Sequence, residues 1–132
     1  MNILTATVRE IRSSGSLHLV YFDLEGHTLV MTGLETDAVI TPGRSVQLGI
    51  KPTAIALAHA GDCRAFANRL PGIVQKIEVG ELLTSVGVTV GKRALEVIML
   101  RMEADALALE SGAHVTVLFM ASALSIQGVA DA

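Results

Sequence analysis

The sequence predicts an all-β protein with short helices, organised as two tandem five-stranded units. Three observations carry that prediction. The first is an internal repeat: Asn2-Ile3-Leu4-Thr5-Ala6-Thr7-Val8 returns as Asn68-Arg69-Leu70-Pro71-Gly72-Ile73-Val74, and Gly43 to Leu57 returns as Gly112 to Ile126. Glycine, Val46/Val115, Leu48/Val117, Ile50/Phe119, Thr53/Ser122, Ala54/Ala123 and Ile55/Leu124 fall in step. The offset is 66 at Asn68 against Asn2 and 69 at Gly112 against Gly43, so three residues enter mid-unit. The second observation is period-two alternation in the apolar runs. The third is turn chemistry between them, at Glu25-Gly26-His27, Thr41-Pro42-Gly43, Gly91-Lys92 and Ser111-Gly112. Self-similarity at a fixed period takes precedence over local signals. The predicted organisation is a first unit at 1–60, a linker at 61–65 and a second unit at 66–132.

Each element follows in order. Ile3 to Ile11 places Leu4, Ala6 and Val8 on one parity and Thr5, Thr7 and Arg9 on the other, the pattern of a half-buried strand. Leu17 to Leu24 is apolar enough to be buried on much of both faces, and Thr28 to Thr32 follows the turn. Ser45 to Ile50 alternates with Val46, Leu48 and Ile50 inward, and Ala54 to Ala58 closes the unit. The second copy reads Ile73 to Val79, Leu83 to Val90, Leu95 to Leu100, Ala113 to Phe119 and Leu124 to Gln127. Arg101 to Glu110 reads as a short helix with Met102, Ala106 and Leu109 on one side, stopped by Ser111-Gly112; Leu34 to Val39 occupies that place in the first copy. Five strands with a short helix before the fourth describe a partly open barrel of oligonucleotide/oligosaccharide-binding (OB) type.

Composition bounds the function. Units of about 65 residues bury only ~60 % of their unfolded surface and are marginal alone. With 51 % hydrophobic residues, 17 % charged residues and a mean hydropathy of +0.54, apolar surface must be covered by other subunits. No apolar stretch reaches the ~18 residues of a spanning helix, and Arg9, Glu10 and Arg12 precede any signal-peptide core, so a cytoplasmic chain without membrane insertion is expected. Cys63 is the only cysteine, which excludes an intrachain disulfide and suits a reducing compartment. A net charge of −3 and an aromatic set of Tyr21, Phe22, Phe66 and Phe119 weigh against nucleic acid. His18, His27, His59 and His114 are dispersed, so no zinc or iron site is expected; no nucleophile motif or phosphate loop is present, and no enzyme activity or organic cofactor is expected.

Two motifs carry a family resemblance. Asn68-Arg69-Leu70-Pro71-Gly72-Ile73-Val74 is close to N-x-L-x-G-x-V; Gly43-Arg44-Ser45-Val46 running into Ile50-Lys51-Pro52-Thr53 is close to G-[KE]-x-V and [IL]-K-[AP]-[ST]. The chain resembles the Mop/TOBE family across nearly its whole length as a tandem pair, most like the two-domain molbindins. The resemblance implies OB-like barrels that exchange elements, bind molybdate or tungstate at subunit interfaces and assemble as trimers. The ligand would be the oxyanion itself, with metal present only in that form. A tetrahedral oxyanion offers only acceptors, so it calls for converging N–H and O–H donors and a cation. The positions that match are Asn2, Lys51, Pro52, Thr53, Asn68, Arg69, Ala121 and Ser122. The reading is an oxyanion-binding protein for molybdenum storage, homeostasis or sensing.

The departures from the pattern open a second reading. The usual S-A-R-N opening is Ala65-Phe66-Ala67-Asn68, the first copy starts at Met1-Asn2, Met120 replaces the second lysine, and the mid-unit threonine and serine fall near Leu100 and Glu103. A TOBE-type regulatory or assembly module of a transporter or molybdoenzyme system, with most anion ligands lost, would carry these changes. Each candidate also has a plain structural role open to it: Lys51, Arg64 and Arg69 as solvated cations, Asn2 and Asn68 as turn residues, Thr53 and Ser122 as caps of the last bend, and Glu103 and Asp105 as a solvated helix face. Lys51 and Thr53 of the first copy could complement the Asn68 loop of the second.

Overall fold

The computed structural model describes residues 1–33, 40–61, 63 and 65–130. The helix expected at Leu34 to Val39, and Arg64, lie outside the described residues. The described residues form ten strands: β1 (Asn2–Ser14), β2 (Leu17–Leu24), β3 (His27–Gly33), β4 (Ser45–Ile50), β5 (Ala56–His59), β6 (Asn68–Val79), β7 (Leu83–Val90), β8 (Arg93–Leu100), β9 (His114–Phe119) and β10 (Ser125–Val129). Among the described residues an α-helix, α1 (Arg101–Leu107), follows β8, and 3₁₀ turns at Pro52–Ala54 and Ala121–Ala123 precede β5 and β10.

The strands form two five-stranded sheets, ordered β10-β4-β1-β2-β3 and β5-β9-β6-β7-β8, each an OB-like barrel. The compact units do not follow the sequence repeats. Unit 1 holds Met1, Ile3–Ile50 and Met120–Ala132, whereas unit 2 holds Asn2 and Lys51–Phe119. β5, which ends the first repeat, pairs with β9 from Ala56↔Leu118 to His59↔Val115. β10, which ends the second repeat, pairs with β4 from Ser125↔Gly49 to Val129↔Val46. Each barrel therefore takes its closing strand from the other repeat. The expected boundaries at 1–60 and 66–132 trace the repeats, and the packing divides the chain elsewhere.

Local structure repeats closely. In unit 1 the Val8 N–H donates to the Arg44 carbonyl and the Gly43 N–H to the Val8 carbonyl, both at 2.8 Å. In unit 2 Val74 and Ala113 bond at 2.9 Å, and Gly112 to Val74 at 2.7 Å. Gly43 and Gly112 have φ of 92° and 89°, which favours glycine and accounts for its recurrence. A β-bulge follows Val8 and Val74, between Val8/Glu10 and Val74/Lys76.

Alternation holds where it was expected. Leu4, Ala6 and Val8 are buried, and Val46, Leu48 and Ile50 are almost fully so. β2 departs from expectation: Val20, Phe22 and Leu24 are buried while Leu19, Tyr21 and Asp23 stay half-exposed, because a barrel strand has one inner face. The helix departs too. It stops at Leu107, where Ala108 takes a left-handed φ of 50°, and it buries Ala104 while Met102 is 73 % exposed. Gly72 shows a packing reason for its place in the motif: a Cβ there would lie 2.6 Å from Val88 Cγ1.

Candidate functional site

The sequence candidates fall on two equivalent turns and on two strand starts. At the end of β4, Ile50 is buried and Lys51 leaves the strand extended, with φ −69° and ψ 140°. Pro52 then opens the 3₁₀ turn, where its fixed φ suits the first position and its missing N–H is no loss. The Ala54 N–H donates to the Lys51 carbonyl at 2.9 Å, and Ile55 returns to extended geometry and the core. Buried Ile50 and Ile55 thus fix a short arch that leaves Lys51 and Thr53 exposed. This turn belongs to unit 2.

The counterpart in unit 1 has the same backbone. Phe119 is buried, Met120 is extended at φ −79° and ψ 155°, the Ala123 N–H donates to the Met120 carbonyl at 3.0 Å, and Leu124 is buried. Ser122 is exposed and Ala121 half-buried, but the position of the cation is taken by methionine.

Beside the first turn lies a cleft of about 490 Å³. Thr53 and Ala54 form one wall, Ile98 and Met99 of β8 another, and Glu103, Ala106 and Leu107 of α1 a third. The Glu103 carboxylate accepts the Leu100 N–H at 3.0 Å, which holds it at the start of α1. The cleft thus pairs a hydroxyl donor with a carboxylate over an apolar floor. Its apolar lining was not among the sequence candidates, since nothing marks Ile98 or Leu107 as more than core-type residues until β5 pairs in unit 2.

Both asparagines are buried at the start of a strand. Asn2 is 9 % exposed; its Nδ2 donates to the Glu96 carbonyl and its Oδ1 accepts the Glu96 N–H, both at 2.8 Å. This amide completes the backbone of an edge strand. Asn68 is fully buried at the start of β6 opposite Phe119, and Arg69 beside it is exposed. Lys51, Pro52, Thr53, Asn2, Asn68 and Arg69 therefore belong to unit 2, and Ala121 and Ser122 to unit 1.

A second hollow, of about 340 Å³, is lined by Asn2, Lys76, Glu78, Ser85 and Glu96 among others. Lys76 Nζ lies 2.6 Å from Glu78 Oε1, and this hydrogen bond with its charge attraction holds the Glu78 carboxyl below its ordinary value. With its lysine engaged and two carboxylates on its walls, that hollow is poorly suited to an anion. Among the described residues there is no cluster of three His, Cys, Asp or Glu able to hold a metal, and no helix is long and apolar enough to cross a membrane.

Residues 65–126 match the TOBE domain family. The match covers Asn68, Arg69, Ala121 and Ser122, whereas the Lys51-Pro52-Thr53 turn precedes it. A search of curated proteins finds no match. Among solved structures the chain is similar to ModG, a cytoplasmic molybdate-binding protein in a crystal form with molybdate bound, at a TM-score of 0.88 and 23 % identity. The alignment covers 98 % of this chain and 96 % of ModG, so the tandem architecture is shared from end to end.

Proposed function

We propose that this chain is an oxyanion-binding protein of Mop/TOBE type that takes molybdate or tungstate on the Lys51-Pro52-Thr53 turn, in cytoplasmic molybdenum storage, homeostasis or sensing. The observation that carries the reading is the turn itself: an exposed lysine and an exposed hydroxyl on a hydrogen-bonded arch with buried flanks, in a fold shared with a molybdate-binding protein. Lysine supplies charge and threonine an O–H, and the hydrogen-bonded arch fixes the backbone from which both project, so that ordering on binding is confined to the side chains. Asn2 and Asn68 have structural roles in this reading, and Arg69 stands at the start of β6 as a further cation. The Ala121-Ser122 turn, without a cation, is the weaker counterpart.

The chain acts as a homo-oligomer in this reading, a trimer before a dimer, since a mean hydropathy of +0.54 comes with exposed Met1, Ile3 and Met120. Titration calorimetry with molybdate and tungstate, using sulfate as the control, tests the binding. Saturable heat with the first two supports it, and no heat at millimolar anion removes it. Light scattering that returned a 13.9 kDa monomer at micromolar concentration would remove the oligomer.

One observation favours a second reading. Glu103 lines the same cleft as Thr53, and a carboxylate there opposes a dianion. A TOBE-type regulatory module that no longer binds anions fits that feature. Indifference to all three anions, together with co-purification with a transporter ATPase, would select it.

A further inference from the structure

We infer that the tip of unit 2 formed by the β6–β7 turn and the start of α1 is a docking surface for a protein segment that carries an apolar anchor flanked by lysine or arginine. Leu82 is 77 % exposed and Met102 73 %, with Leu83 and Leu100 each about half exposed. These side chains form one patch by register. Leu83 and Leu100 are cross-strand partners and share the outer face of the sheet. The Arg101 N–H donates to the Leu82 carbonyl at 2.8 Å, which brings Leu82 to the start of α1, where Met102 stands. The Gly80 N–H donates to the Leu83 carbonyl at 2.8 Å, so the tip is hydrogen-bonded and pre-formed. Next to it is a hollow of about 340 Å³ lined by Glu78, Val79, Gly80, Leu83, Ser85 and Ile98, roomy enough for an apolar side chain.

The other unit shows that the fold does not require this patch. Val79, Leu82 and Leu83 correspond to Ser13, Ser16 and Leu17, and the Ser13 hydroxyl is hydrogen-bonded to His18 Nδ1 at 2.6 Å. Two serines thus stand where unit 2 has Val79 and Leu82, while Leu17, 44 % exposed, keeps the leucine of position 83, so the added apolar surface at Val79 and Leu82 serves something that acts on unit 2.

Charge identifies the partner's chemistry. The rim carries Glu78, Glu81, Glu103 and Asp105 against Lys76 and Arg101. Lys76 is paired with Glu78, and Arg101 lies 3.6 Å from Asp105, which leaves Glu81 and Glu103 as the net charge. Two such patches placed face to face would oppose like charges, and an anionic lipid surface is disfavoured for the same reason. A basic, apolar segment meets both the hydrophobic centre and the acidic rim.

The test uses the full chain, labelled at leucine and methionine methyl groups, and a capped peptide alternating lysine with leucine; the same peptide with glutamate for lysine is the control. The lysine peptide is expected to shift Leu82, Leu83, Leu100 and Met102 saturably while Leu17 stays still. Leu82→Ser combined with Met102→Ser is expected to weaken binding at least tenfold, and Glu81→Lys to weaken it with a shallower salt dependence. Both sites are exposed, and the methyl spectrum reports whether the variants remain folded. Equal binding of the glutamate peptide, shifts spread over both hairpin ends, or no saturable shift overturns the inference. So does a fall in oligomer size in the double variant, which would make a second copy the occupant.

Discussion

The turns at Pro52–Ala54 and Ala121–Ala123 leave their strands through the same extended residue, close on the same backbone hydrogen bond and lead into an equally buried aliphatic side chain. What differs is the outer surface, Lys51 and Thr53 on one and Met120 and Ser122 on the other. The shared part is what packing demands, because a polar residue at Ile50 or Ile55 would enter a barrel core at several kcal/mol. The exposed positions carry no such demand, and they are where an anion would be held or lost. Recurrence in this repeat therefore reports fold, and the difference between the copies reports chemistry.

Substitutions can break or sharpen that contrast. The largest effect is expected for Asn2→Ala, which removes two hydrogen bonds and leaves the Glu96 backbone unpaired, for a stability loss of about 1–3 kcal/mol in denaturant melts. Anion affinity should be unchanged in the folded fraction; a large affinity loss would return Asn2 to the site. Glu103→Ser removes the like charge from the cleft and is expected to tighten molybdate roughly tenfold in calorimetry. Loss of the Leu100 contact should lower the melting temperature slightly. The smallest effect belongs to Met120→Lys, which puts a cation on the unit 1 turn and should add a second binding phase, no more than about threefold above background. A second phase as tight as the first would mean that the lysine alone distinguishes the turns.

Much of this was legible in the chain. Period-two burial in β1 and β4, and the recurring Gly43 and Gly112, follow from local sterics that any reader of the sequence can apply. The exchange of β5 and β10 was not legible from the residues, since Ala56–His59 and Ser125–Val129 offer similar edges and nothing local says which barrel each closes. That choice decides the site, because it moves the Lys51–Thr53 turn to the neighbourhood of β8 and α1. Asn2 was legible as a polar residue in a motif, and only its partner at Glu96 shows that its amide serves the backbone. Met102 fails as a core residue because the helix is too short to turn that side inward, and Ala104 takes the buried place.

Side-by-side calorimetric titration of wild type and Lys51→Met with molybdate tests the anion site most directly. Removing a charge-assisted contact of about 1.5–3 kcal/mol is expected to weaken binding roughly ten- to a hundredfold, with the melting temperature unchanged because Lys51 is exposed. Equal affinity in the two proteins would contradict the assignment of the oxyanion to this turn.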